Sequence, residues 1–297
     1  MKHALLYLVM LLLVGVATVF AQAPDTMWTR TYGGYDSDIG HSVQQTIDGG
    51  YVIVGTKFIG GVVNRDVFFI KTDVNGDTLF TKTFGGFVDD GGNSVRQTSD
   101  GGYIITGYTT VFQLGKNVLL VKLDSNGNIQ WARSFGGHGD DSGTSVEQTS
   151  DGGYIITGNT QSYGAGSNDV YLIKTDSNGV TVFTKIFGGT DSDEGRAIQQ
   201  TSEGGYIIVG QTASYGAGSY DIYFIKTDMN GDTLFTKTYG GIAEEYGSYI
   251  AQTSDGNYII VGNTYSFGAG GEDIYVIKSK ANGTTMFTKS FGGSNND

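Results

Sequence analysis

The side chains able to do chemistry are few and mostly acidic. The 297 residues include 30 Asp and Glu against 18 Lys and Arg, with three His and no Cys. Without thiols there is no thiolate nucleophile, disulfide framework or Cys-ligated zinc. His3, His41 and His138 are too scattered for a His-rich metal centre. The acids, in contrast, are ordered. A loop following each aromatic-Gly-Gly triplet carries Asp36 and Asp38, Asp89 and Asp90, Asp140 and Asp141, Asp191, Asp193 and Glu194, or Glu244 and Glu245, and the broken last copy ends in Asp297. Carboxylate oxygens grouped on one rim suit Ca2+, and their summed field favours cationic partners. The competing reading is that each acid caps its own turn, which recurrence in every unit favours. His138, beside Asp140 and Asp141, has the neighbours to tune a general base, although a solvated surface histidine has the same surroundings. His41, Arg65, Arg96 and Arg196 also break the repeat. His41 stands nine residues after Tyr32 and His138 three after Phe135, so the two histidines are not a matched pair.

A second group of candidates is aromatic. Tyr163, Tyr215 and Phe267 each lie in a Ser-aromatic-Gly-Ala-Gly loop. A flat ring beside flexible glycine stacks on sugar or peptide; folded inward, the same ring covers the blade edge. The first two units lack this loop (Phe58 to Asn64; Val111 to Asn117), so the rim is asymmetric. Asp73-Val74-Asn75-Gly76-Asp77 and Asp228-Met229-Asn230-Gly231-Asp232 depart from the EF-hand spacing and read as hairpin turns. Gly164-Ala165-Gly166 leads into no helix, which excludes a nucleotide loop.

The elements that must position these residues follow from an internal repeat. The aromatic-Gly-Gly triplet recurs at Tyr32, Phe84, Phe135, Phe187, Tyr239 and Phe291, every 51 or 52 residues. The 49 glycines and single proline suit short strands joined by tight turns. Each unit holds four strand candidates, the last two joined at an Asn-Gly pair (75–76, 126–127, 178–179, 230–231, 282–283) that favours a tight hairpin. The second and third strands are apolar at nearly every position, as in Tyr206-Ile207-Ile208-Val209 and Ile222-Tyr223-Phe224-Ile225, so both faces are covered. The fourth alternates, as an outer edge does. Four-stranded antiparallel sheets stacked around an axis meet this demand: an all-β β-propeller with units of about 35–86, 87–137, 138–189, 190–241 and 242–293. Trp28 to Tyr32 is an extra fourth-type strand before the first unit, so it either closes a five-blade ring with one strand spare or marks a fragment of a larger ring; the fragment is favoured.

Residues 1–21 read as a secretory signal: Lys2 and His3, an apolar run from Ala4 to Phe20, and a cleavage site after Ala21. A retained anchor is the alternative. A short segment, 22–27, precedes the repeats, and no later stretch is apolar enough to span a membrane. The net charge of −12, with no basic stripe, excludes nucleic acid as a partner.

Two stretches carry a family resemblance. Gln148 to Gly158 (Gln-Thr-Ser-Asp-Gly-Gly-Tyr-Ile-Ile-Thr-Gly) and Lys226 to Gly241 resemble extracytoplasmic bacterial propeller repeats, and the likeness extends over about 28–297. It implies a secreted or cell-surface protein and no particular activity. A weaker resemblance, to quinoprotein-type repeats, rests on Asp124, Gly127 and Trp131; four of the five units carry Phe at the Trp131 position, and vicinal cysteines are missing. The expectation is a non-catalytic scaffold binding extracellular protein or glycan, with no cofactor beyond Ca2+ on the rim acids. The alternatives are a polysaccharide hydrolase or lyase acting near the axis, which requires non-repeated acid, His or Arg residues converging on one mouth, and a passive spacer of a longer adhesin.

Overall fold

The computed structural model describes residues 27–60 and 64–296. The expected leader (1–21) and Asp297 lie outside the described residues. The described residues contain twenty strands and no helix. The first sheet is β1 (Asp38–Gln45), β2 (Tyr51–Ile59), β3 (Asn64–Thr72) and β4 (Thr78–Phe84). The second is β5 (Asp90–Gln97), β6 (Tyr103–Val111), β7 (Gly115–Leu123) and β8 (Ile129–Phe135), and the third is β9 (Asp141–Gln148), β10 (Tyr154–Thr160), β11 (Asp169–Thr175) and β12 (Thr181–Phe187). The fourth is β13 (Asp193–Gln200), β14 (Tyr206–Thr212), β15 (Asp221–Thr227) and β16 (Thr233–Tyr239), and the fifth is β17 (Glu245–Gln252), β18 (Tyr258–Thr264), β19 (Asp273–Ser279) and β20 (Thr285–Phe291). Each sheet is an antiparallel meander in chain order. The first strands pack on one another in sequence, β1 on β5, β5 on β9, β9 on β13 and β13 on β17, so they gather at a common axis.

Apolar residues fill the space between neighbouring sheets. Val52, Val54 and Phe69 of the first meet Val95, Tyr103 and Ile105 of the second. At the opposite end of the array, Ile222 and Phe224 meet Tyr258, Ile260 and Ile277. This two-sided cover explains why β11, β14 and β15 are buried at every residue. In the fifth sheet β18 and β19 alternate between buried and partly exposed residues, although Tyr258 to Gly262 repeats Tyr206 to Gly210 without a change. The difference is the neighbour: no hydrophobic cluster of the described residues covers the far face of the last sheet.

Local chemistry fixes each unit. Gly179 has φ +75°, and a β-carbon there would lie 2.7 Å from the Trp131 ring, so its turn needs glycine twice over. A lysine on each third strand, buried in the first four sheets and partly exposed in the fifth, reaches the acid of the preceding turn: Lys71–Asp48, Lys122–Asp100, Lys174–Asp151 and Lys226–Glu203 at 2.9 Å, and Lys278–Asp255 at 3.2 Å. Glutamines stitch the sheets together in both directions. Gln97 N–H donates to Gln44 Oε1 (2.6 Å) and Gln252 N–H to Gln199 Oε1 (2.7 Å), while Ser99 N–H donates back to Gln148 Oε1 (2.8 Å) and Ser150 N–H to Gln200 Oε1 (2.9 Å).

Trp28 to Tyr32 differs from its expected state. It is not a strand, because a strand needs a hydrogen-bonded neighbour and among the described residues there is none. It nonetheless packs on the first sheet, with Trp28 against Tyr51 and the Tyr32 hydroxyl donating to Gly76 O at 2.7 Å.

Candidate functional site

Every first strand carries a β-bulge. In β1 the ladder steps from Gly40 to Ser42 and in β13 from Gly195 to Ala197, and the same step skips Asn93, Thr144 and Ser248. A bulge leaves one residue out of the pairing and re-aims its side chain. The bulged residues are therefore His41, Asn93, Thr144, Arg196 and Ser248, and all five line one cavity of about 750 Å³ at the axis. A smaller cavity of about 180 Å³ continues beneath it and adds Arg96, Glu147 and Gln199. Two residues beyond each bulge, the apolar position is kept as Val43, Val95, Val146, Ile198 and Ile250.

The charges in this mouth are arranged in pairs. Arg196 Nη2 lies 2.6 Å from Glu194 Oε2. Glu272 accepts from Asn263, and from the Tyr265 hydroxyl at 2.9 Å. Partial desolvation lowers the His41 imidazole pKa, which leaves the ring neutral at pH 7. Burial raises the Glu147 carboxyl; the Gln200 N–H it accepts at 3.1 Å and the nearby Arg96 pull the other way. Burial and the bond to Glu244 raise the Tyr246 phenol, whose ring lies 5.8 Å from that of Tyr220. No hydrogen bond or ion pair joins His41 to an acid among the described residues, so the mouth has an imidazole without an orienting carboxylate. It offers neutral donors and acceptors, one tied guanidinium, one tied carboxylate (Glu272) and an aromatic edge: equipment for holding a polar ligand.

The rim residues singled out from the sequence occupy other places. Asp141 and Asp193 are fully buried and accept from Gly137 N–H (3.1 Å) and Gly189 N–H (2.8 Å); Ser162 and Ser214 hydroxyls donate to the same two carboxylates at 2.6 Å. Glu245, also fully buried, accepts from Gly241 N–H at 2.7 Å and from the Thr264 hydroxyl at 2.7 Å. Asp140 accepts from Lys116 N–H at 2.9 Å, and Glu244 from the Ser219 hydroxyl at 3.2 Å. Asp191 is held through its own N–H, which donates to Ser214 Oγ at 3.1 Å. His138 is exposed on this rim, away from the axis. One carboxylate oxygen each of Asp141 and Asp193 thus accepts N–H and O–H groups while the other, Oδ1, is buried without a hydrogen-bond partner, and among the described residues no three His, Asp or Glu side chains gather as a metal site.

Tyr163 and Tyr215 are half-exposed. Their hydroxyls donate to Gly136 O (2.8 Å) and Gly188 O (2.7 Å), and their rings lie 5.7 and 5.8 Å from Tyr171 and Tyr223. Phe267 stacks on Tyr275 at 5.3 Å. These rings cover blade edges on the rim where the axial mouth opens. Of the repeat-breaking residues noted in the sequence, the structure gathers His41, Arg96 and Arg196 at the axis with Glu194, and leaves His138 outside. Sequence reasoning missed Asn93, Thr144, Ser248, Tyr246 and Glu272. The signal for the first three was one repeat column in which five units carry five different residues.

No protein-family model matches the chain. A segment of 157 residues is 26% identical to the regulatory protein FlaEY of Caulobacter vibrioides, spanning 44% of this chain but only 16% of that protein. Among solved structures, the WD40 domain of Neurospora crassa Pan2 superposes with a TM-score of 0.52 at 11% identity, over 87% of this chain and 68% of that one. A protein of unknown function from Dyadobacter fermentans gives 0.50 at 13% identity, over 86% and 85%. Identities this low speak to fold alone, and the fold is a β-propeller repeat architecture.

Proposed function

We propose that this chain is a non-catalytic binding platform of the cell exterior that takes an extracellular protein or glycan at its axial mouth. The observation that carries this reading is the bulge column. Five side chains that differ from unit to unit converge on one polar cavity, while the glycine before each and the Val or Ile two positions after it are kept. A passive spacer has no use for such divergence. The apolar run and small residues of 1–21 support export.

The enzymatic reading is favoured by one feature, the convergence of His41, Arg196 and Glu194. Against it, Glu194 is held by Arg196 and Glu272 by Asn263 and Tyr265, so neither acid stands free to donate or accept a substrate proton. The test is a glycan and peptide array probed with the mature chain and with the R196A and Y246A variants, beside a reducing-end assay on polysaccharides. Binding that both substitutions weaken at least tenfold, without turnover, is the expected result. Turnover, or binding unchanged by both substitutions, overturns the reading.

A further inference from the structure

One corner of the axial mouth is unlike the rest. The position that precedes Asp221 and its equivalents holds Arg65 and Lys116 in the first two units, but Tyr220 and Glu272 in the last two. Acids and aromatic rings therefore collect where the fourth sheet meets the fifth. The backbone sets the geometry there: Glu245 N–H donates to Tyr220 O at 2.8 Å, and Tyr265 N–H donates to Glu244 O at 2.9 Å. The Tyr220 and Tyr246 rings open on each other at 40°, with centroids 5.8 Å apart. Glu244 accepts from the Tyr246 hydroxyl and from the Ser219 hydroxyl (3.2 Å), and Glu272 from the Tyr265 hydroxyl (2.9 Å) and the Asn263 carboxamide. Each of these side-chain bonds runs from a neutral donor to an acid. Among the described residues, no Lys or Arg pairs with either glutamate. A separate observation lies beside the cluster. Gln211 is only 6% exposed and lines the same cavity as Tyr246 and Glu272, yet among the described residues its carboxamide has no hydrogen-bond partner. Its equivalents are engaged: Asn159 accepts Gly195 N–H at 3.0 Å, and Asn263 donates to Glu272. An enclosed carboxamide left unpaired is destabilising, and a donor entering the cavity relieves it.

We propose that this corner seats the ammonium or guanidinium end of a lysine or arginine presented by an extracellular polypeptide, a proposal that rests on the axial mouth being the binding site and names what enters it. The cation lies against the Tyr246 and Tyr220 rings, whose quadrupoles attract it. Glu272 meets its charge, because each carboxylate oxygen can take two donors and each has one. Gln211 Oε1 accepts one of its N–H groups. The surroundings disfavour other occupants. Ca2+ needs a shell of about six to eight oxygens, and among the described residues no three His, Asp or Glu side chains gather. An anion meets two glutamates and a guanidinium already tied to Glu194. The cavity, about 750 Å³, is far larger than an ammonium group, and Asn159 and Ser248 line the remainder with donors and acceptors that suit a peptide backbone. The net charge of −12 draws a basic segment towards the molecule.

The experiment titrates the mature chain with end-blocked Gly-Gly-X-Gly-Gly peptides, X being lysine, arginine, norleucine or glutamate, and with a glucosamine trimer. Nuclear magnetic resonance reads binding from the side-chain amide signals of Gln211 and Asn263. The lysine and arginine peptides are expected to shift the Gln211 signal and to bind roughly tenfold or more tightly than the norleucine peptide, which keeps the stem without the charge. E272Q and Y246L should each weaken the lysine peptide by about tenfold, with melting curves showing that both variants are folded. The inference is overturned if the norleucine or glutamate peptide binds as tightly as the lysine peptide, if lysine binding is unchanged in folded E272Q, or if the glucosamine trimer is preferred. Should the variants fail to fold, the comparison of lysine with norleucine on the unaltered chain still decides. If R196A weakens whichever other probe does bind, the inference falls and the platform reading survives. Silence from every probe also overturns the inference, while the glycan and peptide array decides the platform reading separately.

Discussion

Ile222 and Ile274 hold the same position in consecutive units, on β15 and β19, and differ only in what covers them: Ile222 is 0% exposed and Ile274 43%. Replacing either by Ala removes the same atoms and the same strand preference, so the difference between the two losses isolates the covering sheet. At Ile222, transfer of about 2.4 kcal/mol for three carbons plus a cavity penalty brings the loss to roughly 3–4 kcal/mol. At Ile274 a little over half of the transfer applies and no enclosed cavity forms, giving roughly 1–1.5 kcal/mol. The expected gap is about 2 kcal/mol. Equilibrium urea unfolding of I222A and I274A at one protein concentration measures it, and unchanged slopes confirm that both variants unfold by the same transition. Equal losses at the two positions would refute the reasoning, because they would mean that the outer face of the fifth sheet is covered in solution.

Other consequences are as specific. The turn acids Asp48, Asp100 and Asp151 have pKa values of about 2: for Asp48 the Thr46 hydroxyl and then Lys71 dominate, while for Asp100 and Asp151 burial is outweighed by hydrogen bonds from a threonine hydroxyl and the buried lysine. Because these values are depressed on folding, their stabilisation is complete above the ordinary carboxylate range and is lost as pH falls from about 4 towards 2; each contributes a few tenths to about 1 kcal/mol, since the carboxylates stay more than half exposed and screened. Acid titration of stability in K174M should lose the part of the Asp151 share that Lys174 supplies, while the Thr149 hydroxyl and Gly153 N–H keep the rest. E147Q should stabilise the fold at pH 7 by up to about 1 kcal/mol, because glutamine removes a buried charge yet can still accept the Gln200 N–H, as Gln44 and Gln199 do for their neighbours; thermal melts of the two proteins test the sign. G210A should cost at least about 1–3 kcal/mol by urea titration, since a β-carbon there would stand 1.8 Å from Glu194 O across the bulge.

Much of the fold was legible because its signals are local. The Asn-Gly pairs required positive φ, and continuous apolar runs such as Tyr154 to Ile156 required cover on both faces. Trp28 to Tyr32 was legible as a fourth-type segment, but its lack of strand pairing was not, since pairing depends on a partner that sequence spacing cannot supply. The acid loops drew attention because they recur, and recurrence is the mark of a part that every unit needs: Asp141, Asp193 and Glu245 are fully buried beneath their own turns. The axial residues were obscured by the bulge. Alternation along β13 puts Arg196 out of step with its neighbours, and period-two reasoning cannot place a residue that the ladder skips. Alignment of the five units with one another exposes the column at once.

The bulge also separates two kinds of inheritance. The side chain of a residue omitted from the ladder lies outside the apolar contacts two positions away, so it can change at little folding cost except where it bonds the next sheet, as Asn93 does to Gly143 O and Thr144 to Gly195 O. Duplication of a whole unit delivers one such free position to the axis each time, already aimed, with the stabilising parts copied intact. Ligand preference can then drift one spoke at a time while the wheel stays the same, and a designer randomising residues 41, 93, 144, 196 and 248 would be drawing on that freedom.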